Sequence, residues 1–401
     1  MIIRKTYLKK IEPFLGKPII KVISGVRRCG KSTLLKLLIS KLVQEGIPSQ
    51  QILLINMESM EFEKITDHRK LSQFVTRFFA KKRGKKFVFI DEIQEIPGWE
   101  KAVTSFLSDK VADIVITGSN AHLLASDLAT LLAGRYVEIR VLPLGFKEFL
   151  QFRKKKPSGN LDEEFNLYLR YGGFPGIHSF PFSDEVIFQY LNGIFNTILM
   201  KDVVNRFEIR DANLLEGISR FIFDNCGNIT TSKRIADFLK SQKRPASVET
   251  IQNYLSFLET AFLICKASRL DLKGLRLLEL YEKYYVTDFG LRHGFLGFRP
   301  GDINGLLENV VFLELLRRGY KVCIGKLNQL EIDFVGERNG QRSYFQVSYL
   351  LSEKKTIERE FTPLEKIPDN FPKFVLSLDK VGPSERKGIF QKNLIKFLLE
   401  E

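Results

Sequence analysis

The chain has 401 residues, 44% of them hydrophobic including 34 Phe, and 62 Lys or Arg stand against 47 Asp or Glu for a formal net charge of +15. That length suggests two or three domains, and that apolar content excludes a largely disordered chain. No apolar run approaches the ~18–20 residues of a membrane span, and the dispersed cysteines (Cys29, Cys226, Cys265, Cys323) and four histidines exclude a disulfide scaffold or a Cys-x-x-Cys zinc site.

The N-terminal residues carry no apolar signal region, so a reduced, cytoplasmic protein without membrane attachment is expected. Most of the positive excess falls in the first 150 residues and points to a polyanionic partner. The two densest basic runs, residues 81–86 and 153–156, read as solvated loops.

Residues 4–14 read as a short amphipathic helix, and the β-rich run 19–23 follows. Next comes Gly25-Val26-Arg27-Arg28-Cys29-Gly30-Lys31-Ser32-Thr33, which fits G-x-x-x-x-G-K-[ST], the phosphate-binding loop. Leu34, Leu35, Leu37, Leu38 and Leu42 then recur at helical spacing. Strand, glycine-bounded loop and helix form the context this motif needs. Gly25 and Gly30 allow successive N–H groups to turn inward on an anion, and the following helix adds its positive end. Lys31 is expected at the β- and γ-phosphates of ATP, Ser32 on Mg²⁺ and Thr33 near the α-phosphate.

A second buried strand is predicted over 52–56, and Phe74, Val75, Phe78 and Phe79 fit one face of a helix. Phe87-Val88-Phe89-Ile90-Asp91-Glu92 is an apolar run ending in two carboxylates, sixty residues beyond Lys31. A buried parallel strand delivers such acids to the crevice at its C-terminal end. Asp91 is expected to hold Mg²⁺ through a water and Glu92 to polarise the attacking water. A fourth strand, 114–117, ends at Gly118-Ser119-Asn120, where Ser119 or Asn120 either positions that water or caps the next helix. Residues 131–135 precede a strand over 136–141, and Arg135 is either a charge-stabilising arginine, in cis or on a neighbour's site, or an exposed structural residue.

Together, Gly-Val-Arg-Arg-x-Gly-Lys-Ser-Thr, Ile-Asp-Glu-Ile-Gln, Thr-Gly-Ser-Asn and Gly134-Arg135 resemble the bacterial and archaeal AAA-like ATPase family. There the ATPase is followed by a C-terminal region known only as domain of unknown function 4143. The resemblance continues through Gly172-Gly173-Phe174-Pro175, Lys201-Asp202-Val203, Tyr284-Tyr285-Val286-Thr287-Asp288 with Gly290-Leu291, Glu308-Asn309-Val310 and Glu331-Ile332-Asp333-Phe334. It implies an ATPase and leaves the pathway open.

Residues 142–200 read as helical, broken at 157–159 and 172–175, where a lid would sit. Beyond 201, apolar faces mark three helices: Leu215 to Ile222, Ser232 to Leu239 and, capped by Ser247, Val248 to Leu258. Two β-rich runs follow, 262–266 and 283–287, completing a winged helix-turn-helix. Its third helix offers Glu249, Thr250, Gln252, Asn253 and Glu259 without a cation. Help against phosphates would come from Lys233, Arg234, Lys243 and Arg244, and from Arg269, Lys273 and Arg276.

In the C-terminal third, Glu308 on a helix, Asp333 on one strand and Gln346-x-Ser348 on the next follow the PD-(D/E)xK nuclease constellation. Gln346 replaces an acid and Ser348 the lysine, so a vestigial metal site and an inactive nuclease-like fold are expected unless Lys354 or Lys355 moves in.

The expected fold is α/β: an AAA-like P-loop NTPase with a parallel sheet (1–145), a helical lid (146–200), a winged helix (201–292) and a nuclease-like α/β domain (293–401). The expected function is Mg²⁺-dependent ATP hydrolysis driving a conformational change on DNA or a protein partner. The alternatives are a slow nucleotide-controlled binding switch and an ATP-dependent nuclease. The oligomeric state is left open.

Overall fold

The computed structural model describes residues 2–121, 134–154, 160–380 and 384–400, apart from the side chains of 279 and 280. Residues 131–133, the break at 157–159, and Lys155 and Lys156 of the second basic run lie outside the described residues. The chain forms two compact units, Met1–Val141 with Thr260–Phe262, and Leu142–Glu259 with Leu263–Glu401.

The first unit contains helix α1 (Lys5–Ile11) and alternates strands β1 (Ile20–Ser24), β2 (Ile52–Asn56), β3 (Phe87–Asp91), β4 (Asp113–Gly118) and β5 (Tyr136–Arg140) with helices α2 (Lys31–Gln44), α3 (His68–Phe79) and α4 (Trp99–Ser108). The sheet order is β2-β3-β4-β1-β5, with every pair parallel. A parallel sheet covered on both faces requires nearly continuous apolar strands. Accordingly β1 and β3 are buried at every position. Val22, Ile55, Val88, Ile90 and Ile116 pack with Leu71, Val75 and Phe79 of α3 and with Trp99, Val103 and Phe106 of α4. At about 1.5–3 kcal/mol per buried side chain, this contact orders the sheet. The register pairs Ser24 with both Gly118 and Arg140, and Asn56 with Asp91. The C-terminal ends of all five strands therefore share one edge.

The second unit opens with helices α5 (Phe146–Phe152), α6 (Leu161–Tyr171) and α7 (Asp184–Thr197), and α7 runs into a π-helical turn, Ile198–Val204. Then come α8 (Ala212–Asp224), β6 (Ile229–Thr230), α9 (Ser232–Ser241), α10 (Val248–Thr260), and a hairpin of β7 (Ile264–Asp271) and β8 (Arg276–Val286). Helix α11 (Phe289–Leu296) and the apolar helix α12 (Ile303–Arg317) lead into the meander β9 (Lys321–Leu327), β10 (Leu330–Arg338), β11 (Gln341–Val347). The chain ends with α13 (Lys354–Glu365), β12 (Lys373–Ser377), β13 (Ser384–Arg386), β14 (Ile389–Asn393) and α14 (Leu394–Leu399).

These strands form one nine-stranded sheet, β13-β14-β12-β11-β10-β9-β7-β8-β6. The hairpin joins the meander through a parallel pairing of β7 with β9, Arg269 opposite Ile324. The boundary expected at 292/293 thus falls between strands of a single continuous sheet. Among the described residues no helix is long and apolar enough to cross a membrane, and all four cysteines are free thiols.

Candidate functional site: a phosphate-binding loop beside an acid pair

The loop between β1 and α2 is built by close approach. Gly25 has φ +147, and a Cβ there would lie 2.2 Å from the Val141 carbonyl oxygen. Gly30 has φ +107, and Arg28, exposed, has φ +66. Val26 and Cys29 are buried, Cys29 Sγ donating to Val141 O. Burial pushes the Cys29 thiol up, which keeps it neutral. From outside, Arg4 donates to the Cys29 carbonyl at 3.0 Å and stacks on Tyr7 of α1.

Lys31 opens α2 with its ammonium buried beneath the loop. Its Nζ lies 3.0 Å from Gly25 O, 3.3 Å from Val26 O and 3.4 Å from Glu92 Oε1. Ser32 and Thr33 lie exposed on the first turn. The Ser32 hydroxyl faces Asp91, which ends β3, closely enough to help hold its carboxyl down. Burial raises the Asp91 carboxyl, while Thr117 and Ser32 oppose the shift.

Thr117 on β4 serves both acids. Its hydroxyl donates to Asp91 Oδ1 and accepts the Glu92 N–H at 2.9 Å. Glu92 itself is left-handed at φ +54, a strained conformation for a residue with a Cβ. Burial pushes its carboxyl up, but Lys31, Gln94, Arg27 and Ser119 together bring it below the ordinary carboxylate value. Glu92 is therefore an ionised acceptor poised to orient a donor. Gln94 bridges, donating to Glu92 and, at 3.3 Å, to Ser119. Asn120, the next residue, is fully buried at the same edge.

Arg27 is 9% exposed, and its Nη1 lies 2.7 Å from Glu58 Oε1 on the loop after β2. Arg135 is not brought to the loop. Its carbonyl accepts from Ile20 N at the start of β1, one strand length, about 16 Å, from the phosphate loop. Parallel pairing places Arg140 at the loop edge instead, over the Phe262 ring.

These residues fit nucleotide with Mg²⁺. A hydroxyl and a carboxylate adjoin at the helix start, and a hard cation of this kind takes one or two protein oxygens plus phosphate and water. Thr117, Gln94, Glu58 and Arg4 escaped the sequence reading as site residues. Thr117 and Gln94 lie inside quoted motifs, but Thr117 acts on the end of the neighbouring strand β3, and Gln94 joins Glu92 to Ser119 beyond β4.

The C-terminal constellation is assembled differently from its expectation. Glu308 on α12, Glu331 and Asp333 on β10, and Gln346 on β11 do converge, but the cation among them is Lys283 from β8. Its Nζ lies 3.1 Å from Glu308 and 2.9 Å from Glu331. Tyr285 adds a hydroxyl to Glu308 at 3.3 Å. Lys354 and Lys355 are exposed at the start of α13. Burial would lower the Lys283 ammonium, but Glu308, Asp333 and Glu331 hold it above its ordinary value. Burial and the neighbouring Glu308 push the Asp333 carboxyl well above its ordinary value.

Gln346 has a physical reason to be an amide. Its Oε1 accepts the Asp333 N–H at 2.7 Å where the β9–β10 register shifts, and its Nε2 donates to Glu360 at 3.0 Å. A carboxylate there could not donate. The Ser348 hydroxyl donates to Leu350 O, at 3.4 Å. Among the described residues no group of three or more His, Cys, Asp or Glu is arranged to hold a metal ion.

A family model described as an AAA domain matches residues 17–150. Another, described as a domain of unknown function (DUF8612), matches 162–302 and stops short of the C-terminal strands. An uncharacterized protein of Haemophilus influenzae is 39% identical over 402 residues, covering 100% of this chain and 99% of its own length. Uncharacterized protein MJ1544 of Methanocaldococcus jannaschii is 34% identical over 369 residues, 86% of this chain and 78% of its own. The Walker-type ATPase PABY2304 of Pyrococcus abyssi shares the fold, with a TM-score of 0.51 at 16% identity over 73% of this chain and 95% of that one.

Proposed function

The chain belongs to the AAA-like P-loop ATPase family, and from that premise we propose that it is a Mg²⁺-dependent ATPase whose hydrolysis drives a conformational change on a macromolecular partner. The observation that carries this reading is the meeting of Lys31, Ser32, Asp91 and Glu92 at one edge of the parallel sheet. Lys31 leaves the Gly25 and Val26 carbonyls and Glu92 to neutralise charge on the β- and γ-phosphates. Ser32 and Asp91 would hold Mg²⁺, which would supply Lewis-acid stabilisation of the phosphates. Glu92, released from Lys31 and steadied by Gln94 and Ser119, orients the attacking water.

The region from 146 to 200 is proposed as a lid, 201–292 as a winged helix and 293–401 as a nuclease-like but silent domain. Silence is supported by Gln346, Ser348 and the engagement of Glu308 by Lys283. A protein partner is supported by α10, which exposes Glu249, Gln252, Asn253 and Ser256 and carries no Lys or Arg, and by exposed Leu275, Leu277 and Tyr281 on the hairpin. Duplex DNA is the competing partner, supported by the flanking cations Lys233, Arg234, Lys243 and Arg244.

Steady-state ATP turnover with and without duplex DNA, with Glu92→Gln as control, tests both points. Turnover abolished by Glu92→Gln and indifferent to DNA is the expected result. Stimulation by DNA would make nucleic acid the partner. Turnover that survives Glu92→Gln would remove the proposed role of this residue.

A further inference from the structure

Resting on the ATPase reading, we propose that Arg27 is the residue that tells ATP from ADP, exchanging its ion pair with Glu58 for an oxygen of the terminal phosphate. Three observations carry it. The first is direction. In the order β2-β3-β4-β1-β5, the phosphate loop follows β1 and Glu58 follows β2. The two strands are three steps apart, about 14 Å at the usual strand spacing. An Arg27 guanidinium that reaches Glu58 from the loop therefore crosses the tips of β4 and β3, which carry Ser119, Asp91 and Glu92. Its charge is felt there, as one of the influences that hold the Glu92 carboxyl low.

The second observation is burial asymmetry. The Arg27 side chain is 10% exposed and that of Glu58 is 51% exposed. A buried guanidinium needs an acceptor, whereas a half-exposed carboxylate has water as an alternative. The γ-phosphate presents a stronger, multiply charged acceptor to the same fork. ADP presents no such group, so Arg27 stays with Glu58.

The third is the position of the other arginines. Arg135 stands at the opposite edge of the sheet, and Arg28 is exposed on a left-handed turn. Of the two arginines within the loop, Arg27 is buried and Arg28 is exposed. The exchange also frees the loop after β2, where Met60 is 79% exposed and Phe62 is buried in the core. That loop then differs between ATP and ADP states.

The test measures affinity for ADP and for the β,γ-imido analogue of ATP, both with Mg²⁺, by calorimetry on the full chain. Arg27→Ala is expected to weaken the ATP analogue by about 10–100-fold, as loss of a charge-assisted hydrogen bond does, with ADP nearly unchanged. Glu58→Gln is expected to act in the opposite direction, strengthening the ATP analogue severalfold with ADP unchanged. Adding Glu58→Gln to Arg27→Ala is expected to do nothing further. Equal losses of both nucleotides in Arg27→Ala, or a Glu58→Gln effect that persists without Arg27, overturns the proposal. If Arg27→Ala does not fold, Glu58→Gln still decides, because weakened or unchanged binding of the ATP analogue refutes the exchange. The ATPase reading fails separately, and takes this proposal with it, if wild type binds neither nucleotide or if Lys31→Ala binds both as wild type does.

Discussion

Thr117 is the residue on which the acid pair hangs. One hydroxyl donates to Asp91 and receives the backbone N–H of Glu92, whose left-handed turn aims its carboxylate at Lys31. Thr117→Val keeps the shape and removes both bonds. Turnover is expected to fall about 100-fold, the effect of misplacing a reactive group by an ångström. Nucleotide affinity, which the proposed function assigns to Lys31 and the loop, is expected to change little, and separate measurement of kcat and nucleotide Kd checks the split. A loss shared equally between the two would mean that Thr117 supports the loop instead. Asp91, Glu92 and the loop were legible because their residue types are demanded by the chemistry at a fixed spacing. Thr117 was not, because its role depends on β4 lying beside β3, which local pattern does not specify.

A second residue makes a pH prediction. His293 on α11 is 1% exposed, and burial with Arg292 beside it pulls its imidazole down to about 4. Phe188 and Phe298 face its ring, and Asp302 pulls weakly the other way. The unfolded chain therefore takes up this proton first. The neutral ring costs nothing above about pH 6.5, and stability falls by about 1–3 kcal/mol as pH drops toward 4. His293→Gln is expected to flatten this limb in urea titrations between pH 4 and 7. An identical pH dependence in the variant would assign the acid sensitivity elsewhere.

At the scale of elements, the motifs beyond the ATPase acquire structural reasons. Asn309 on α12 imitates a strand neighbour, accepting Val286 N–H at 2.8 Å and donating to Val286 O at 2.9 Å. It thereby closes the end of β8, which accounts for Glu-Asn-Val and for the Tyr-Tyr-Val stretch together. Asp288 caps α11 through Leu291 N and also accepts Gly173 N–H at 2.7 Å. A Cβ on Gly290 would meet the Tyr171 carbonyl oxygen at 2.2 Å. Gly-Gly-Phe-Pro and Thr-Asp-x-Gly-Leu are thus two halves of one joint between the end of α6 and the start of α11. Sequence alone presented them as resemblance without cause, since each motif's partner lies over a hundred residues away or on a different kind of element. Asn309→Leu preserves volume and strands two buried backbone groups. It is expected to destabilise the second unit by about 2–6 kcal/mol, at about 1–3 per unmet group. Urea denaturation checks this, and a cost under 1 kcal/mol would mean that water replaces the amide.

At the scale of the whole chain, the nine-stranded sheet decides what can fold alone. The three-helix region with its hairpin reads from sequence as a complete winged helix, and the C-terminal third as a separate nuclease-like domain. Each local pattern was legible: the helices, the hairpin, and the acids on their helix and strand all appear near their expected places. What the pattern could not carry was the pairing of β7 with β9, which makes the hairpin an interior part of a larger sheet. Lys283 binds the same joint electrostatically. It stands on β8, is 3% exposed, and its counterions Glu308 and Glu331 come from α12 and β10. Removing one member of a buried ionic cluster leaves the others uncompensated, at about 3–5 kcal/mol. Lys283→Met is therefore expected to lower protection against amide exchange in β8 and in the β9–β11 meander by similar factors, because the two exchange as one cooperative unit. A chain ending after Leu296 is expected not to hold the hairpin, since β7 loses its neighbour and Lys283 its carboxylates together. Retained protection in the meander while the hairpin of Lys283→Met opens, or a folded three-helix region with its hairpin in the shortened chain, would show that the pairing of β7 with β9 joins two independently stable parts.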